Sequence, residues 1–193
     1  MDIVTKAAFY AAHKHKLHRC KDLYQTPYIN HLTSVAYLIA NVGEIDCSTC
    51  LAAAYLQDII TKTKTSYDDL SCEFGKDITK IVREITRDKS ISKVERKKKH
   101  IVEAFKQSYS VRLIELATIL SRLINLVKET PTGWSEQYKN GYIVWTYKVV
   151  EGLKGTNILL EKELWKIFDD ILPENTDSIL EEYYILCEFE TSK

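Results

Sequence analysis

Residues 111–127 read VRLIELATILSRLINLV. Apolar side chains fall on nearly every side of a 3.6-residue helix, so this stretch predicts a helix buried all round at the centre of a domain. On either side the pattern stays helical. Residues 2–17 put Ile3, Ala7, Ala8 and Ala11 on a small-residue face suited to close packing. Residues 18–30 are polar, contain Pro27 and read as a loop. Residues 31–42 form a second helix that Gly43 stops. Asp46 is a natural N-cap for a helix running through Asp58. Ser66, with Asp69 three residues on, caps a short helix that Gly75 ends. Ile78, Ile81, Val82 and Ile85 mark another amphipathic segment, and residues 94–107 a charged helix. The run TPTG at 130–133 breaks the chain before the helices at 134–153 and 158–171. There is no repeat, no clean strand alternation and no Gly/Ser linker, so the expected fold class is all-α, in one domain.

The tail, PENTDSILEEYYILCEFETSK at 173–193, is acidic and carries the apolar cluster YYIL. Docking as a short helix or strand, or mobility, are both open for it.

Composition narrows the function classes. Lys plus Arg and Asp plus Glu each number 27 in 193 residues, so the formal net charge is zero. No global field calls for nucleic acid or a membrane surface, and neither is expected as a partner. No apolar run approaches the roughly 20 residues of a membrane span. The first residues, MDIVTKAAFYAAHKHK, hold no apolar signal core, and the expected compartment is the cytosol. Five cysteines, at 20, 47, 50, 72 and 187, do not suggest a disulfide framework. The lone pair Cys47 and Cys50 lacks the second ligand pair of a zinc site, so free thiols are the reading.

Several motifs have plain readings. His13, His15 and His18 look like a metal tract but read as a solvated helix end. The basic run from Arg96 to His100 reads as a solvated face, with Glu95 and Glu103 close by. Trp134, Trp145 and Trp165 read as core aromatics. The stretch AAAYLQDIITKTKT at 52–65 is harder to place. It begins as an apolar helix, then sets Gln57 beside Asp58 and a lysine, Lys62, one turn later. On its own, Asp58 could bond backbone amides or a lysine, and His31 could cap a helix.

Seven segments, taken together, resemble one family. They are TPYINH (26–31), LQDIITKT (56–63), EFGKDITKIVREIT (73–86), KVERKKKH (93–100), ELATILSRLINL (115–126), TPTGWSE (130–136) and VVEGLKGTN (149–157). In this order they resemble the metazoan SpoT-homologue hydrolases of the HD-domain superfamily, over about residues 7 to 172. The resemblance implies an HD-domain helical bundle at 1–172, with the tail at 173–193 outside it. It also implies a manganese-dependent enzyme that removes pyrophosphate from the 3′ position of guanosine tetraphosphate, and a link to NADPH dephosphorylation. Manganese takes imidazole and carboxylate donors and activates a bound water.

Carried over residue by residue, the resemblance matches His31 and Asp58 to metal ligands. Gln57 stands where a ligating His is expected and Thr118 where a ligating Asp is. Thr61 and Lys62 occupy the positions of the Glu-Asp pair that handles the water's proton. Lys62 would repel a nearby dication by about 4 kcal/mol at about 4 Å and an effective dielectric near 20. Cys20 replaces a purine-stacking Arg, Arg122 an Asn near base and ribose, and Tyr138 an Arg near a terminal phosphate. Lys21, Lys93 and Tyr142 match positions that face the ligand. The expectation is therefore a copy released from catalysis, without a cofactor. It would bind a phosphorylated nucleotide through Lys21, Lys93, Arg122 and Tyr142, or a protein partner. The alternative is a manganese-dependent pyrophosphohydrolase of guanosine tetraphosphate or an NADPH phosphatase.

Overall fold

Helix α7 (Tyr109–Lys128) is the axis on which the others pack in the computed structural model, which describes residues 2–190. The stretch 111–123 is buried almost without interruption, as its apolar periodicity requires. Before it come α1 (Ile3–Lys14), α2 (Ile29–Tyr37), α3 (Ser48–Leu56), α4 (Ile59–Lys62), α5 (Tyr67–Ile85) and α6 (Lys93–Glu103). After it come α8 (Glu136–Leu153), α9 (Ile158–Ile171) and α10 (Thr176–Glu190). Helices α2, α3, α5, α8 and α9 all touch α7. Among the described residues no strand forms, and no helix is long and apolar enough to cross a membrane. The all-α expectation holds.

Local chemistry explains most boundaries. The Asp2 carboxylate accepts from Val4 N and starts α1. Ser66 and Asp69 form a reciprocal capping box, as do Ser92 and Glu95. Asn157 Oδ1 accepts from Leu159 N and Leu160 N and opens α9.

Other boundaries differ from the sequence reading. Asp46 is not the cap of α3; Cys47 holds that place, with no side-chain hydrogen bond. At φ 81° and ψ 172° Gly75 is itself non-helical and does end the segment that Ser66 caps, as the sequence reading has it, but a second helical segment of α5 runs on across the kink to Ile85. Helix α1 stops at Lys14, and α2 begins two residues before His31. The predicted helix through Asp58 breaks at Gln57: α3 ends at Leu56, Asp58 sits at φ −105° and ψ 6°, and a single turn, α4, follows.

The tail resolves in favour of a helix; its residues 191–193 lie outside the described residues. Helix α10 packs on α8 and α6. Its Tyr183 is fully buried, its ring lies 5.0 Å from that of Tyr138, and its side chain fills the space above Gly141. A Cβ added at Gly141 would stand 2.4 Å from Tyr183 Cβ. At Gly152, on the same helix, an added Cβ would meet its nearest neighbour at 3.5 Å.

These two glycines give opposite expectations. Gly141→Ala should destabilise the chain by about 1–3 kcal/mol, because α10 must shift to admit the methyl group. Gly152→Ala should be neutral or stabilising by up to about 1 kcal/mol, through helix propensity. Denaturant unfolding of the two variants beside the parent checks both signs.

Candidate functional site

The break at Gln57–Asp58 places two polar side chains against the buried face of α7. Asp58 precedes α4 but makes no side-chain capping bond. Its carboxylate instead accepts the Tyr28 hydroxyl at 2.5 Å. The Gln57 side-chain oxygen accepts from Thr118 Oγ1 of α7 at 2.9 Å. One turn further along α7, Ser121 Oγ lies 3.3 Å from His31 Nδ1. Arg122 follows it. Its side chain is solvent-accessible, yet protein surrounds it closely, which marks the floor of a cleft rather than an outer surface.

Charges meet in this cleft. Burial works to raise the Asp58 pKa, but Arg122, the Tyr28 hydroxyl, Lys62 and His31 together hold it below the ordinary carboxylate range. Burial lowers His31, and the positive charge of Arg122 adds to that, so the imidazole is neutral at pH 7. Lys62 is exposed, and its ammonium sits 4.8 Å from the centre of the Tyr28 ring. Thr61 bonds through its hydroxyl to Asp58 O at 3.3 Å. Cys20 is half-buried, packs beside Tyr28 and Leu32, and lies within reach of the charges on Lys62 and Arg122.

On the α8 side, Tyr142 is buried and Arg122 approaches it without closing a hydrogen bond of ordinary geometry. Lys93 donates to the Tyr138 hydroxyl at 3.0 Å and lies over that ring. Lys21 is exposed in the loop after α1, and its carbonyl accepts from Thr132 N at 2.9 Å. The structure thus gathers Gln57, Asp58, His31, Thr118, Lys62, Arg122 and Tyr142. Lys93 bonds to Tyr138, whereas Lys21 is tied through its backbone to Thr132 and is not brought into contact with this group.

Three residues were missed. Tyr28, inside the quoted TPYINH, is the direct partner of Asp58. His15 is not part of a solvated helix end: it is buried, its ring lies 5.3 Å from that of Tyr28, and its Nδ1 is 2.9 Å from Nδ1 of His18. Glu115, one turn before Thr118, is buried between Arg87 Nη2 at 2.6 Å and His100 Nε2. Only the spacing of polar residues on an otherwise apolar helix could have flagged Glu115. The cavity of about 230 Å³ beside Arg87, Arg96 and His100 borders that network, not the Asp58 cleft.

The donor set decides whether a divalent metal fits. Among the described residues, no group of three or more His, Cys, Asp or Glu side chains is placed to hold an ion. His31 and Asp58 are two donors where such a site takes three or four. Gln57 turns its oxygen to Thr118 and leaves its amide nitrogen, a donor, without a partner. The residues present do not fit a protein-held manganese ion.

This bundle, with His31 and Asp58 facing α7, is that of an HD domain, and residues 7–140 match the HD domain family. Two relatives extend the match over most of the chain. One from Xenopus tropicalis is 41% identical over 87% of this chain and 94% of its own, and one from Drosophila melanogaster is 43% identical over 82% and 89%. Both are named guanosine-3′,5′-bis(diphosphate) 3′-pyrophosphohydrolase MESH1. A solved structure described as a metazoan orthologue of SpoT that hydrolyses ppGpp superposes with a TM-score of 0.85. It is 40% identical and covers 88% of this chain and 96% of its own. The chain belongs to the metazoan SpoT-homologue family of the HD-domain superfamily.

These relatives overturn the expectation of a copy released from catalysis. That expectation weighed a handful of exchanged positions. The similarity spans nearly the whole of proteins that are named as hydrolases, so a reading as a non-enzyme is not supported.

The buried histidines make stability depend on pH. Burial, helped by the charge of His18, pushes His15 down from 6.5 to about 4, and burial lowers His100 as well. In the unfolded chain these groups take up protons near pH 6.5. Between about 4 and 6.5 the unfolded state therefore binds more protons, and stability rises with pH across that window. The thermal midpoint should fall as pH drops from about 6.5 toward 4, and His15→Gln should flatten part of that slope. Melts followed by circular dichroism at half-unit pH steps measure it.

Proposed function

We propose that the chain hydrolyses guanosine-3′,5′-bis(diphosphate), releasing the 3′ diphosphate as pyrophosphate. The observation that carries this is 41–43% identity, over more than four-fifths of the chain, to proteins named for that activity. The chemistry asked of the site is simple in outline. A water oxygen bonds to the phosphorus next to the ribose, the bond from that phosphorus to the 3′ oxygen breaks, and a proton goes to the departing 3′ oxygen.

Three tasks follow for residues in the cleft. The negative charge of the diphosphate must be offset, and Arg122 and Lys62 supply cations where it gathers. The nucleotide must be oriented, a task we give to Tyr142, Lys93 and Lys21. Water must lose a proton, and Asp58 is the ionised carboxylate among these groups, held in place by Tyr28. Because the donor set does not fit a metal, no step is routed through one. Five free cysteines support a reducing, cytosolic setting for this reaction.

Incubation of the protein with guanosine-3′,5′-bis(diphosphate), with and without added manganese, followed by measurement of pyrophosphate, tests this reading. Release should exceed the protein-free control and fall by about 10²-fold or more in Asp58→Ala. Release equal to the control under both conditions would rule the reading out.

A further inference from the structure

Buried polar atoms almost always have partners, so a cluster without them calls for a reason. In this chain His31 Nε2 and Gln57 Nε2 are buried and unpartnered, and the buried Tyr142 hydroxyl has the Arg122 guanidinium as its neighbour. Each is explained differently by a metal and by an anion. A metal needs lone pairs pointing inward. The Gln57 amide nitrogen has none to give, because its oxygen is taken by Thr118. Ser121 Oγ lies 3.3 Å from His31 Nδ1, and in the tautomer where the hydroxyl donates, the ring proton is on Nε2, which then donates as well. The Tyr142 hydroxyl and the Arg122 guanidinium are further donors. What surrounds the cleft is a ring of N–H and O–H groups.

We propose that His31, Gln57, Arg122 and Tyr142 seat a phosphate group of the nucleotide directly, with no metal ion between protein and anion. A phosphate carries oxygens enough to pair every one of these donors, and a planar guanidinium meets two of them at once. The opposing charge is Asp58. It faces two cations, Arg122 and Lys62, and one of its oxygens already accepts the Tyr28 hydroxyl. The local balance favours an anion. Where a metal-centred site would use a dication to draw in phosphate, this cleft uses a guanidinium anchored on α7 and an amide fixed by Thr118. The proposal rests on reading this cleft as the nucleotide site and is independent of turnover.

Inorganic pyrophosphate is the probe, titrated by calorimetry into the intact protein in excess EDTA. Binding is expected in the micromolar to millimolar range. It should weaken about tenfold or more in Arg122→Gln and several-fold in Gln57→Leu, a substitution close in size that removes the amide nitrogen together with the oxygen that Thr118 bonds. Circular dichroism of both variants confirms the fold, and Gln57→Leu carries the test if Arg122→Gln does not fold. The double variant Gln57→His/Thr118→Asp should move the other way, losing affinity in EDTA and gaining one manganese per chain by elemental analysis. Binding that appears only when manganese is added, or that both single variants leave unchanged, overturns the proposal. Pyrophosphate binding in EDTA, with no release from guanosine-3′,5′-bis(diphosphate), keeps the phosphate seat and discards the hydrolase reading. Release without binding in EDTA does the reverse.

Discussion

Helix α7 is buried on all sides, and that burial constrains everything around it. A helix in this position can carry a polar side chain only where a neighbour supplies a partner, since an unsatisfied buried group costs about 1–3 kcal/mol. Its polar residues fall on one stripe. Glu115 is matched by Arg87 and His100, Thr118 by Gln57, and Ser121 by His31. Each match fixes the position of another part of the bundle: the α5–α6 corner, the end of α3 and the start of α2. The stripe is therefore both a set of packing instructions and the floor of the site. The chemistry could not be rearranged without turning the surrounding helices.

The stripe also sets the sign of the cleft. In an imidazole-and-carboxylate centre the protein presents lone pairs and an ion supplies the charge. Here Gln57 and Thr118 satisfy each other, and Arg122 supplies a charge that is covalently part of the chain. A guanidinium differs from an ion in two ways. It cannot be lost to a chelator, and its donors point in fixed directions. It also cannot activate water as a dication does. Among the cleft's own side chains, the ionised carboxylate held by Tyr28 is the group left to take a proton from water.

Much of this was legible in the sequence. Periodicity located α7 and α9 closely, because apolar spacing is what decides burial. Ser66 and Asp69 announced their helix because the capping box is local. The family resemblance brought out His31, Asp58 and the exchanged positions around them. The break at Gln57–Asp58 was not legible. Nothing between Ala52 and Lys62 is a helix breaker, and the break is stabilised by long-range partners, Tyr28 and Thr118. The burial of His15 was hidden for the same reason, since it depends on contact with Tyr28 across a loop. The expectation of lost catalysis failed in another way. Exchanged ligands show which chemistry a site has left, but not whether the chain has left catalysis.

The last helix has an optical consequence. Lys97 sits 3.5 Å from the centre of the Trp145 ring, with Tyr183 of α10 closing the same small enclosure at 4.7 Å. Burial brings this ammonium down to about 7, so its charge over the indole varies within the neutral range. An indole's emission responds to a charge held against its face. Trp145 is thus placed so that its share of the emission, beside that of Trp134 and Trp165, responds to the charge of one lysine. Because Tyr183 helps to close that enclosure, displacement of the C-terminal helix opens the same environment to water.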